Sequence, residues 1–298
     1  MHDVANVTLS PEEIKRVKGL GCLRDKRYGD VFNVRVITRN GKITTAEHRA
    51  IAEAADRFGS GEVALTTRLT MEIQGVKHEN IQNLIDFLAE HGLSTGGTGA
   101  LVRPVVSCKG TTCQYGLADT YGLSEKIHEK FYVGYHDVTL PHKFKICVGG
   151  CPNNCAKPSL NDVGIVGQKV PLIDLDKCRG CKKCQIAENC PVKAAQVLDG
   201  KIRLDPNICN NCGRCDGKCL FGAFAYQPGF KVYIGGRWGK KMNHGVALTR
   251  IFTSEEEVMD VVEKAICLFR DEGIAGERFA DTVNRLGFDY INEKLTAI

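Results

Sequence analysis

Between residues 31 and 92 the apolar positions switch repeatedly between a period of two and a period near 3.6, and each switch marks an element. Val31 to Thr38 alternates apolar and polar, as a half-buried strand does, and runs into a turn at Asn40-Gly41. Thr44 followed by Glu47 is a capping box that opens an Ala-rich helix to about Phe58. Two short strands follow, Glu62 to Thr67 and Met71 to Gly75. A second helix sets Ile81, Leu84, Ile85 and Leu88 on one face and stops at Gly92. The order β-α-β-β-α predicts an α+β chain whose N-terminal domain, residues 1–100, is a ferredoxin-like split unit. Further along, VLDGKIRL reads as a hairpin on an Asp199-Gly200 turn. Ser254 with Glu257 opens a long helix to about Asp271, with Val258, Val261, Val262 and Ile266 as its apolar stripe. The tail from Gly276 is expected to be helical.

Composition narrows the classes. The chain has 298 residues, enough for one large domain or two to three small ones with a real core. A hydrophobic content of 43% with 25% charged residues excludes disorder and a fibre. Apolar runs last only a handful of residues, far short of the ~20 that span a bilayer, so no membrane insertion is expected. The opening MHDVANVTLSPEE lacks a basic-then-apolar export pattern, which points to the cytoplasm. A net charge of +5, with the basic residues spread out, does not call for nucleic acid. The 15 cysteines change the picture.

Eight of them fall between positions 178 and 219. Cys178, Cys181 and Cys184 form CxxCxxC, with Cys190-Pro191 beyond; Cys209, Cys212 and Cys215 repeat it, with Cys219 beyond. A disulfide framework fails on the odd count, the missing export pattern and the reducing cytosol. Tetrahedral zinc uses pairs of CxxC, whereas a triple at three-residue spacing plus a distant fourth cysteine fits a cubane cluster. The two runs resemble those of bacterial two-cluster ferredoxins, where the distal cysteine of each run ligates the other cluster. That resemblance implies an inserted ferredoxin domain at 173–229. Cys178, Cys181, Cys184 and Cys219 would hold one 4Fe–4S cluster, and Cys190, Cys209, Cys212 and Cys215 the second. The sequence departs from the pattern at Leu220, where ferredoxins have proline, and in the five-residue gap before Cys190.

A second resemblance rests on SCKGTTC and KICVGGCPNNCAKP. GCPNNC resembles the GCPN-x-C segment of the sirohaem-dependent sulfite and nitrite reductases. It implies a sirohaem/4Fe–4S reductase domain of α+β type over 101–172 plus 230–298. Its cluster ligands would be Cys108, Cys113, Cys151 and Cys155, and Cys155 would bridge to the sirohaem iron. The first pair is spaced by four residues here, not the family's five. Cys147 is set aside because Pro152 and the Asn pair match only the later register; with Cys22 and Cys267 it is read as a buried or free thiol. Gly149, Gly150 and the Pro-Asn-Asn turn are expected to let the backbone pass close to cluster and macrocycle.

The same resemblance implies a cationic pocket. Arg68 in LTTRLTMEIQGV is similar to the family's TTRQTFQLHG, Arg103 in ALVRPVVSC lies near its second arginine, and Lys143 and Lys145 in LPHKFKIC match LPRKFK. An isolated cation on a strand is ordinarily a solvated surface residue; four in matching segments and order are not. Period-2 spacing puts both lysines on one strand face. The implied roles are that Arg68 and Arg103 bind substrate oxygens or cofactor carboxylates, while Lys143 and Lys145, with water, deliver protons. In KVYIGGRWGKKMNHG, Arg237, Lys240, Lys241 and Asn243 are candidate partners for macrocycle carboxylates, a solvated basic loop being the alternative.

The resemblance covers nearly the whole chain and is strongest to the compact anaerobic and dissimilatory-type sulfite reductases. It implies six-electron reduction of sulfite to sulfide with sirohaem and three 4Fe–4S clusters. Large assimilatory enzymes contain two fused copies of the sirohaem-binding half; one copy here points to a homodimer. No GxGxxG at a strand–helix junction and no flavin signature is present, so electrons would come from a partner, either flavin- or NAD(P)H-dependent or a ferredoxin. Two rivals remain. Nitrite reductases tend to carry Lys-x-Asn where Lys143-Phe144-Lys145 stands, and a pure electron carrier would have no use for the four cations.

Overall fold

The computed structural model describes residues 9–297; residues 1–8, on which the export reading largely rests, lie outside that range. The chain divides into two compact units, one of Met1–Val106, Ser124–Ile146 and Leu268–Thr282, the other of Ser107–Leu123, Cys147–Cys267 and Val283–Ile298.

The first unit opens with α1 (Pro11–Gly19), where the Ser10 hydroxyl accepts the Glu13 N–H at 3.1 Å and Pro11 occupies the first turn. Then follow β1 (Cys22–Arg24), β2 (Val31–Val36), α2 (Thr45–Phe58), β3 (Val63–Leu65), β4 (Met71–Lys77) and α3 (Ile81–Glu90). The strands form an antiparallel sheet in the order β1-β2-β4-β3. Alternation along β2 buries Phe32, Val34 and Val36. The capping box of α2 is closed in both directions: Thr44 Oγ1 accepts the Glu47 N–H at 3.2 Å, and the Glu47 carboxylate accepts the Thr44 N–H at 2.6 Å. Ile51 and Ala54 of α2 and Leu84 and Leu88 of α3 complete the core, with Ile85 only partly buried at its rim.

Two strands are shorter than their alternation predicts. β2 ends at Val36 because Ile37 turns its N–H to the Ser94 carbonyl at 2.8 Å, the buried Thr38 hydroxyl donates to the Leu69 carbonyl, and Arg39 adopts a left-handed φ of 59°. β3 ends at Leu65 because Thr66 and Thr70 close a turn around Leu69, itself at φ 61°. Later segments of this unit bring Phe144, Phe269 and Phe279 together with ring centroids 5.2–5.8 Å apart.

The remaining elements are β5 (Val106–Ser107), α4 (Thr120–Ile127), β6 (Ile146–Gly149), β7 (Val163–Ile173), α5 (Gln185–Asn189), β8 (Ala195–Leu198), β9 (Lys201–Leu204), β10 (Phe224–Ile234), β11 (Val246–Phe252), α6 (Glu255–Glu272), α7 (Phe279–Leu286) and α8 (Phe288–Thr296). The second unit is organised by a sheet in the order β11-β10-β7-β6-β5. β7 and β10 pair over eleven residues, from Val163 opposite Ile234 to Ile173 opposite Phe224. Val163 to Gln168 is buried; beyond Lys169 the ribbon leaves the core, and its tip carries residues 174–223. That segment holds the hairpin β8–β9, turned by Asp199 and Gly200 at φ 52° and 69°. Its fully buried core is Ile186, Ala195 and Ile202. α6 is capped by Ser254 and Glu257 and buries the stripe Val258, Val261, Val262 and Ile266. Among the described residues no helix is long and apolar enough to cross a membrane.

Candidate functional site

Cys108 follows β5, and its backbone N–H donates to the Val148 carbonyl at 3.1 Å while its sulfur accepts the Gly150 N–H at 3.2 Å. A Cβ on Gly110 would lie 2.8 Å from the Gly150 Cα, and one on Gly150 would lie 2.7 Å from the Gly110 Cα. The two cysteine loops therefore touch backbone to backbone, and no side chain fits between them. The close approach expected of Gly150 is thus to the opposing loop. Cys113 closes a tight turn with its N–H on the Gly110 carbonyl at 3.2 Å, and the buried Thr120 hydroxyl donates to the Cys108 carbonyl at 2.7 Å. On the other loop, Asn154 and Lys157 adopt left-handed φ of 58° and 51° as the chain curls around Cys155.

Four sulfurs converge here. Burial pushes the Cys151 thiol above its ordinary pKa, an N–H from Asn153 opposes that, and the neighbouring sulfurs of Cys108, Cys155 and Cys113 push it further up. Cys151 lies within electrostatic range of the other three thiols, and backbone N–H groups donate to two of the four, a donor set that suits a cluster. Cys147 is fully buried and donates to the Ala156 carbonyl at 3.4 Å, Cys22 is fully buried, and Cys267 is half-buried.

The segment 174–223 gathers its own sulfurs. Burial raises Cys209, with Cys212 and Cys190 adding to the rise, and burial raises Cys215, with Cys209 and Cys212 adding. Cys190 thus sits with the second run despite lying nineteen positions before it. Cys178 accepts the Ile202 N–H at 3.3 Å, and Cys178, Cys184 and Cys219 pack on the small core of the segment. Lys169 of β7 ties the second run to the sheet: its N–H donates to the Asn211 carbonyl at 2.9 Å, and its ammonium pairs with Asp216. A cavity of about 850 Å³ is lined by Tyr115, Cys151 and Pro152 from the first cysteine loops and by Cys212, Arg214 and Lys218 from this segment.

The cations divide into two groups. Lys143 and Lys145 precede β6, in extended chain and not in the regular strand expected, with Phe144 bridged to Val102. Arg103 donates its N–H to the Phe144 carbonyl at 2.8 Å. Val102 and Phe144 are buried, so alternation sets Arg103, Lys143 and Lys145 on the opposite face. The Arg103 guanidinium donates to the Gly97 and Gly99 carbonyls, and its Nε is buried without a protein partner. Burial lowers its pKa to about 10, and Arg35, Arg68 and Arg278 add to the fall. Arg68 donates to the Pro104 carbonyl at 2.8 Å, and Arg35 pairs with Glu72 at 2.7 Å. Four guanidiniums, with Arg103 within electrostatic range of the other three and partly shielded from water, suit a polyanion. Arg35 and Arg278 were not singled out from sequence. Arg35 could have been found as a cation inside the alternating run VFNVRV; for Arg278 no local signal exists.

Arg237 and Asn243 exchange backbone hydrogen bonds at 2.8 Å and close a loop whose tip exposes Trp238, Lys240, Lys241 and Met242. The Asn243 amide donates to the Gly235 carbonyl at 2.8 Å and so braces that loop.

Residues 98–297 match the sequence profile of the nitrite and sulphite reductase 4Fe-4S domain, and residues 24–91 match that of the nitrite/sulfite reductase ferredoxin-like half domain. The chain is 30% identical over 275 residues to the coenzyme F420-dependent sulfite reductase of Methanocaldococcus jannaschii, covering 91% of this chain and 43% of that protein. It is 27% identical over 268 residues to the alpha polypeptide of the dissimilatory-type sulfite reductase of Allochromatium vinosum, covering 82% of this chain and 64% of that one. The chain therefore spans less than two thirds of the length of either relative. Its fold is similar to the crystal structure of dissimilatory sulfite reductase I, with a TM-score of 0.70 at 21% identity over 90% of this chain and 70% of that one.

Proposed function

The chain belongs to the nitrite and sulphite reductase family, and on that premise we propose that it reduces sulfite to sulfide by six electrons at a sirohaem linked to a 4Fe–4S cluster. Cys108, Cys113, Cys151 and Cys155 would hold that cluster, and Cys155 would also be its link to the sirohaem. Residues 173–229 form an inserted ferredoxin domain, with one cluster on Cys178, Cys181, Cys184 and Cys219 and another on Cys190, Cys209, Cys212 and Cys215. When bound, the sirohaem and its cluster supply the electron-transfer chemistry. The chain's own side chains do the rest. Arg68 and Arg103 grip oxyanions or macrocycle carboxylates, and Lys143 and Lys145 move protons, with water, to departing oxygens. Arg237, Lys240, Lys241 and Asn243 meet further carboxylates. Electrons come from a partner protein, and two copies of the chain associate as a homodimer.

The observation that carries this reading is the convergence of Cys108, Cys113, Cys151 and Cys155 from two loops locked together at Gly110 and Gly150. Relatives named as sulfite reductases favour sulfite over nitrite, and so does Lys145, where nitrite enzymes tend to carry asparagine. Lys145→Asn tests it, with reduced viologen as donor and sirohaem content checked first by absorption. An anion left without its buried cation typically costs ~3–5 kcal/mol, and less in a half-dry site. Sulfite turnover should fall roughly 10- to 100-fold and nitrite turnover much less. An equal loss for both anions would remove Lys145 as the specificity residue; a protein with cluster absorption but no sirohaem bands would be an electron carrier.

A further inference from the structure

Tyr226 lies on β10 opposite Pro171 of β7, on the part of the ribbon that leaves the core. Its hydroxyl oxygen is buried, and the polar group it meets is the sulfur of Cys215. The hydroxyl is one of the buried polar atoms without a partner in hydrogen-bond geometry, although the Cys215 sulfur is close enough to act on it. Buried hydroxyls are ordinarily satisfied, so this one calls for an acceptor. A deprotonated, iron-ligating sulfur at Cys215 is that acceptor.

The surroundings hold both atoms in place. The Lys169 ammonium lies 5.1 Å from the centre of the Tyr226 ring and pairs with Asp216, the residue after Cys215. Lys169 is also bridged to Cys212. Ribbon and cysteine loop are therefore stitched at two points beside the hydroxyl, Lys169 to Asp216 and Lys169 to Cys212. At Cys178, in the first run, the donors are the backbone N–H groups of Ile202 and Gly180, which no substitution removes.

We propose that Tyr226 is a redox-tuning residue, whose hydroxyl donates to the Cys215 sulfur and raises the reduction potential of the cluster held by Cys190, Cys209, Cys212 and Cys215. This rests on the reading of residues 173–229 as a two-cluster domain. Reduction adds negative charge to a cluster, so a donor to a ligand sulfur stabilises the reduced state more than the oxidised one. Because Cys212 and Cys151 line one cavity, this is the cluster that faces the sirohaem-linked centre. Its potential then governs how readily an electron moves on.

Tyr226→Phe keeps the ring and its contact with Lys169 and removes only the hydroxyl. Anaerobically purified holoprotein is first assayed for iron, with about twelve non-sirohaem irons per chain expected at four per cubane. In an EPR-monitored redox titration, the reduction equilibrium of one cluster should weaken about tenfold, ~59 mV for one electron, while the others stay put. Pulsed EPR in deuterated buffer should find an exchangeable deuteron coupled to that cluster in the wild type and none in the variant. Twelve irons with no shift, or an equal shift of every cluster, overturns the proposal. Eight or fewer irons in fully loaded wild type overturns the two-cluster reading and this proposal with it. If the variant itself sheds the cluster, the wild-type deuteron signal decides: its presence supports the hydrogen bond and its absence refutes it.

Discussion

Seventeen buried apolar residues hold the sheet β1-β2-β4-β3 and its helices together, whereas three hold the segment 174–223. In the first region, sheet and helices bury a continuous apolar core. In the second, the core is three residues, and cysteines are among the partly buried side chains packed around it. On the proposed two-cluster reading, ligation supplements that small core, in the way that structural metals fold small domains.

The largest test of that contrast is removal of iron from anaerobic protein with a chelator. Hydrogen exchange should lose protection throughout 174–223, the β8–β9 amides included, while the β2 and β4 amides stay protected. A hairpin that remains protected without iron would break the comparison. The converse experiment is Leu84→Ala, which empties a fully buried site on α3. Leu→Ala at such sites costs 2–5 kcal/mol, and a value of about 4 kcal/mol is expected from denaturant unfolding followed by β2 and β4 exchange, with the iron content of the segment unchanged. Loss of iron in that variant would mean that the two regions do not fold separately.

A smaller effect concerns His128, buried in the first unit against Tyr132, with ring centroids 4.7 Å apart. Burial lowers its pKa from 6.5 to about 4, and the nearby Arg39 adds to the fall. Because the folded pKa is the lower one, the unfolded chain binds a proton between these values and the folded chain does not. Stability is therefore full above pH ~6.5 and is lost as pH falls towards 4, by at most ~3 kcal/mol. His128→Phe, compared with wild type by denaturation at pH 7 and pH 4.5, should flatten that acid limb. An unchanged limb would place its origin elsewhere.

Where a signal is local, the sequence sufficed. The capping box at Thr44 and Glu47, the stripe on α3, and the Asp199-Gly200 turn are each decided by residues within a few positions of one another, and the structure has all three. The family, too, was legible in GCPNNC and the lysine segment. Strand ends were not: β2 and β3 stop where Ser94, Leu69 and Thr70 take over their hydrogen bonds, and those partners are set by the fold. Nor was the eleven-residue β7–β10 ribbon, whose halves differ only in what packs against them.

The sequence by itself determined which thiols and cations are available and how far apart they stand along the chain. Tertiary structure decided which of them meet. Cys190 joins the run at Cys209, Cys113 joins Cys151, and Arg35 and Arg278 join Arg68 and Arg103. The physical reason is that charge, burial and sulfur–sulfur proximity act through space over a few ångströms, whereas the period of a helix or strand orders only near neighbours in sequence.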